Sequence, residues 1–101
     1  IKVWFHPEVA GYIKEKIWHE SQRIHELEDG SIIFEAEVAG TDEIRFWIMT
    51  WGSKAMVIEP ESLREEIMAE AEMIVRRYQG PIIAEENLSY GPTQDHPLRR
   101  G

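Results

Sequence analysis

The run Glu28-Asp29-Gly30-Ser31 constrains this chain more than any other stretch. Asp-Gly between two β-prone segments is a strong hairpin signal, and the spacing predicts a type I′ turn with positive φ at both central residues. After the turn, Ile32, Phe34, Ala36 and Val38 alternate with Ile33, Glu35 and Glu37. That alternation gives the returning strand one buried face and one half-polar face. Before the turn, Ile17 to Glu28 reads as one long strand, irregular near His19-Glu20-Ser21.

Elements on either side of the hairpin follow from the same reasoning. Ile1, Val3 and Phe5 alternate with Lys2, Trp4 and His6, which is a strand pattern. Pro7 opens a helix where its missing N–H costs nothing. Val9, Tyr12 and Ile13 give that helix an apolar face, and Gly11 weakens it. Thr41 reads as the cap of a second helix, with Asp42 and Glu43 at its positive end. Ile44, Trp47, Ile48 and Trp51 recur at helical spacing until Gly52 stops the run. Lys54 to Glu59 is a fourth strand, ended by Pro60.

A third helix carries the stripe Leu63, Ile67, Ala71, Ile74 and Tyr78, widened by Met68 and Val75. Its acids lie early and Arg76-Arg77 late, as the macrodipole favours. Residues 79–101 read as a C-terminal tail, with Ile82-Ile83 able to pin its first part to the body. The order β-α-β-β-α-β with an added C-terminal helix predicts an α+β, ferredoxin-like antiparallel sheet over residues 1–78. Two helices would cover one face, leaving Trp4, His6, Ile33, Glu35 and Glu37 on the other.

Composition narrows the function. The chain has 101 residues, enough for about one modest core. It opens at Ile1 inside an apolar alternation and reads as a fragment of a longer polypeptide. A net charge of −8 opposes unaided binding to nucleic acid, which depends on Lys and Arg displacing counterions. The absence of cysteine excludes disulfides, thiol nucleophiles and thiolate zinc sites, and fits a cytoplasmic protein. No apolar run approaches the ~18 residues that a membrane span requires.

Several short motifs carry a family resemblance in order along the chain: Trp18-His19-Glu20-Ser21-Gln22, Asp29-Gly30, Trp47 with Trp51-Gly52, Ile58-Glu59-Pro60 with Leu63-Arg64, and a helix ending at Tyr78. Over roughly residues 1 to 78 the chain resembles the C-terminal extension (WCX) domain of WYL-domain transcriptional regulators. The resemblance implies a multidomain cytoplasmic regulator with an N-terminal winged helix-turn-helix that binds DNA and a central WYL domain that receives a ligand, in some members a nucleic acid. The extension itself would help to form a homodimer and relay ligand binding. Neither the helix-turn-helix nor the WYL motif lies within this sequence.

Among individual residues, Trp18, Ser21, Gln22 and Arg23 combine a stacking surface with multidentate hydrogen bonding. They read as a contact for a nucleotide-like effector or a neighbouring WYL domain, against the alternative that Trp18 is core and Gln22 ties down a loop. Phe46 and Met49 fall opposite the apolar stripe of the second helix at about 100° per residue. With Trp4 on the free sheet face, they are candidates for a dimer or domain interface.

His19 and His25, on one strand with even spacing, would share a face; this is a polar sheet surface more often than a metal clamp. Glu35 and Glu37 also share a face, where solvated side chains are the ordinary reading. No catalytic residue, metal site or cofactor is assigned. The leading expectation is a dimerisation and effector-relay domain. Its rivals are a metabolite-sensing domain of the same fold and, least supported, a small hydrolase or isomerase.

Overall fold

A computed structural model describes residues 1–82. Its elements are β1 (Lys2–Phe5), α1 (Pro7–Lys14), β2 (Arg23–Glu26), β3 (Ile32–Glu35), α2 (Asp42–Met49), a 3₁₀ turn (Gly52–Lys54), β4 (Ala55–Glu59) and α3 (Glu61–Gln79). The strands form one sheet in the order β2-β3-β1-β4, and every neighbouring pair is antiparallel. This is a mixed α+β domain with four strands and three α-helices.

Alternation along the strands sorts the two faces. Val3, Phe5, Ile32, Phe34 and Val57 lie on the inner face and are buried. Ala10 and Ile13 of α1, Ile48 of α2 and Leu63 of α3 close over them. Each large apolar side chain so buried contributes about 1.5–3 kcal/mol, which makes this layer the main source of stability. On the outer face, Trp4 pairs across the sheet with Ile33 and Met56, and Ile33 pairs with His25. The β1–β4 register shifts between Lys2 and Val3, where Lys2 pairs with Glu59 and Val3 with Val57.

The hairpin forms where expected, but its turn differs. Glu26 pairs with Ile32, and the N–H of Leu27 donates to the carbonyl of Ser31 at 2.9 Å. The N–H of Gly30 donates to the carbonyl of Leu27 at 3.1 Å, and Gly30 has φ +92°. No non-glycine residue among those described has positive φ, so Asp29 is not in a type I′ geometry. The bonding is that of a longer loop with one glycine-dependent position. Asp29 instead uses its carboxylate, accepting the backbone N–H of Ser31 at 2.9 Å and its hydroxyl at 2.5 Å. Those bonds satisfy Ser31, the one fully buried polar side chain among the described residues.

The long strand expected from Ile17 to Glu28 is reduced to Arg23–Glu26. Local side-chain hydrogen bonds hold the backbone of 18–22 in turns and take donors that a sheet ladder would need. His19 therefore lies in a loop and does not share a strand with His25. β3 likewise stops at Glu35, leaving Glu37 beyond its end.

The helices show a further set of differences. Pro7 begins α1 as expected, and His6 Nδ1 caps it by accepting the N–H of Glu8 at 2.9 Å. Its buried residues are Ala10 and Ile13, whereas Tyr12 is 63% exposed. Thr41 occupies the cap position of α2 without a side-chain cap bond. In α3 the apolar stripe outruns the body: Leu63 is buried and Ile67 packs partly against the core, while Met68, Ile74, Val75 and Tyr78 are exposed. Of the expected tail, residues 83–101 lie outside the described part of the chain.

Candidate ligand and interdomain site

The most organised irregular segment is the loop between α1 and β2. Gln22 builds it. Its side-chain carbonyl accepts the backbone N–H groups of Trp18 at 2.6 Å and His19 at 3.1 Å. Its amide nitrogen donates to the Lys16 carbonyl at 3.1 Å. Ser21 joins the loop to the sheet: its hydroxyl accepts the N–H of Glu37 at 2.8 Å and lies 2.8 Å from His19 Nδ1. Arg23 reaches across the outer sheet face to Glu35 at 3.0 Å.

The loop fixes Trp18 in place. The indole N–H donates to the Ile13 carbonyl at 2.9 Å, and the ring centroid lies 5.1 Å from that of Trp47. Trp47 in turn contacts Phe5, Phe34 and Trp51 at centroid separations of 5.5, 5.3 and 6.4 Å. These distances fall in the range where tilted and edge-to-face aromatic pairs add stability beyond area burial. The indole N–H groups of Trp47 and Trp51 are buried with no acceptor among the described residues.

Beside this cluster runs a cleft of about 350 Å³, lined by Trp18, His19, Phe34, Val38, Ala39, Gly40, Glu43, Ile44 and Trp47. It joins the Gln22 loop to the start of α2. Its walls are chiefly apolar, with His19 and Glu43 as polar points. Ser21, Arg23, Glu35, Glu37 and Glu59 line a second, smaller and more polar depression of about 260 Å³ with Lys2.

The structure thus separates the expected contact residues. Trp18 lies on the apolar cleft, whereas Ser21 and Arg23 line the other depression, and the polar atoms of Gln22 are committed to backbone. Phe46 is 65% exposed, with the Arg45 guanidinium 5.3 Å over its ring, and Met49 is half-buried. Trp4 is half-buried on the outer sheet face, edge-on to His6 at 5.9 Å. Sequence reasoning missed Ala39, Gly40 and Glu43, which join the site only because the chain after β3 folds beside the Trp18 loop.

Electrostatics at the titratable positions are local. Hydrogen bonding from Arg23 holds the Glu35 carboxyl below the usual range, and His25, 3.1 Å away, acts in the same direction. Bonds from Ser31 lower Asp29, and Lys54 lowers Glu8. Among the described residues no group of three or more His, Asp and Glu is placed to hold a metal ion. None of the described helices is long and apolar enough to cross a membrane.

Fold and cleft together define a small α+β domain whose motif residues build a rigid loop and an aromatic wall. The family comparison agrees with the motifs. The WCX domain model matches residues 1–75, and the chain belongs to that family, the C-terminal extension of WYL regulators. Comparison with curated proteins gave no match.

Proposed function

We propose that this chain is a regulatory domain of a WYL-type transcriptional regulator, relaying effector binding through contact with a WYL domain of the same or a partner chain. The carrying observation is the cleft between Trp18 and α2, floored by motif aromatics, with the backbone of Trp18 anchored by Gln22. A mainly apolar wall suits protein side chains better than a polyanion, and the net charge of −8 points the same way. DNA binding then belongs to a separate helix-turn-helix domain, and a nucleic-acid or nucleotide effector to the WYL domain. Cytoplasmic location follows from that role.

The strand order β2-β3-β1-β4, with α1 and α2 on one face, supports the ferredoxin-like reading of the fold. Residues 1–78 are the folded unit in this reading. Relay operates by population shift: an effector that favours one arrangement of WYL domain and cleft biases the DNA-binding heads. The regulator works as a homodimer, for which Trp4, Phe46 and Met49 remain candidate contacts. No group in the cleft is assigned a catalytic role.

Ala39 is exposed on the cleft rim, so Ala39→Arg obstructs docking without entering the core. In the complete regulator, promoter output should lose its response to effector at unchanged protein level. An undiminished response would overturn the assignment of the cleft.

A further inference from the structure

We infer that the cleft beside Trp18 is a binding site for a small organic cation with an apolar body, an aryl- or alkylammonium ion. The inference goes beyond the regulatory reading and does not depend on it, because the site belongs to this chain alone.

Size and wall chemistry set the class of ligand. The cleft holds about 350 Å³, at the lower end of the roughly 300–1,000 Å³ typical of small-molecule sites. Trp18, Phe34 and Trp47 give it three aromatic rings, and the Trp47 centroid lies 5.1 Å from that of Trp18 and 5.3 Å from that of Phe34. Val38, Ala39 and Ile44 complete the apolar walls. The face of an aromatic ring is negative, and indole attracts cations most strongly. The chain already uses Trp18 in this way: the Lys16 ammonium stands 5.3 Å from its ring centroid, although Lys16 does not line the cleft.

Charge selects a cation over a neutral or anionic ligand. Glu43 is the carboxylate on the cleft, and no Lys or Arg lines it. Among the described residues Glu43 has no ion-pair partner. Arg45, the base on α2, bonds instead to Glu66 at 3.4 Å. Asp42 adds a second acid in the same helical turn. His19 supplies no offsetting charge, because its Nδ1 accepts the Ser21 N–H at 3.1 Å and so carries no proton. An anion would meet Glu43 with nothing to compensate it, and a neutral body would leave that carboxylate unpaired beside an apolar surface. An ammonium group on an apolar body satisfies the rings and the acid together.

NMR of the tryptophan indole N–H groups of the whole chain, at slightly alkaline pH, tests this with phenylpropylammonium as probe. Phenylpropanol and phenylpropionate, of nearly equal size, serve as the neutral and anionic controls. The ammonium ion should shift Trp18 and Trp47 saturably and leave Trp4 in place. It should bind about fivefold or more tighter than the alcohol, and tighter still than the carboxylate. Glu43→Gln should narrow the preference for ammonium over alcohol to about twofold, with helix content by circular dichroism unchanged. Ala39→Arg, which sets a cation on the rim, should abolish ammonium binding. Equal binding of ammonium and alcohol, a preference that survives Glu43→Gln, or no shift of Trp18 and Trp47 at saturating probe would overturn the inference. No WYL domain takes part in this titration, so its failure leaves the promoter response to Ala39→Arg as a separate test of the regulatory reading.

Discussion

The side-chain carbonyl of Gln22 sits 2.6 Å from the backbone nitrogen of Trp18 and accepts its N–H. That bond turns a polar residue of a sequence motif into the frame of a loop. Gln22→Ala removes acceptors for Trp18 and His19 and a donor for Lys16 together. The expected loss is about 1–3 kcal/mol of folding stability, measured by urea denaturation. Gln22→Glu keeps the acceptor but faces the Lys16 carbonyl with an oxygen, so it should recover only part of that loss.

Trp18 and Trp47 are in contact but differ in hydrogen bonding. The Trp18 indole N–H has the Ile13 carbonyl as acceptor, whereas the Trp47 indole N–H has no acceptor among the described residues. Trp18→Phe should therefore cost about 1 kcal/mol more than the loss of ring area alone. Trp47→Phe discards an unmet donor and should be the milder change. Trp47→Ala empties the junction of four aromatic rings and should cost about 3–5 kcal/mol. Thermal or urea unfolding of the three variants orders them, and Trp47→Phe ranking below Trp18→Phe in stability would contradict this account.

Acid should weaken the fold through two carboxylates. Glu35 and Asp29 both titrate below their usual values when folded, held by Arg23 and by Ser31 respectively. A lowered folded pKa means that the unfolded chain binds protons first as pH falls. Their contribution is therefore complete above the unfolded values of about 4 and lost as pH descends through the folded ones. Both groups are solvent-accessible, so the effect is small. Carboxyl NMR titration should place Glu35 below the ordinary range, and Arg23→Ala should raise it.

Gly30 adopts φ +92°, and a Cβ added there would meet Pro7 at 3.5 Å, an ordinary contact. The constraint is thus on the backbone rather than on space. Gly30→Ala should cost about 1 kcal/mol or more, with the hairpin otherwise intact. A neutral substitution would mean that the turn relaxes freely.

Much of the fold was legible in the sequence because its signals are local. Pro7, the Asp29-Gly30 turn and the α2 stripe of Ile44, Trp47 and Ile48 each declare their element through backbone chemistry or period. Element order was legible for the same reason. The segment 17–22 was misread because apolar Ile17 and Trp18 suggest a strand, while the deciding partners are the side chains of Gln22 and Ser21. The turn type was misread because Asp29 bonds to Ser31 rather than entering the left-handed region. Periodicity announced the stripe of α3 without saying what covers it, since Leu63 and Tyr78 share a face but not an environment. A third of the cleft lining stayed hidden because Ala39, Gly40 and Glu43 carry no motif and reach Trp18 only through the path of the chain.

The most direct measurement is an NMR titration of the four tryptophan indole N–H resonances with the regulator's WYL domain supplied separately. Docking in the cleft should shift Trp18 and Trp47 saturably and leave Trp4, on the far face of the sheet, in place. Shifts confined to Trp4, or no shift at saturating WYL domain, would contradict the proposed role of the cleft.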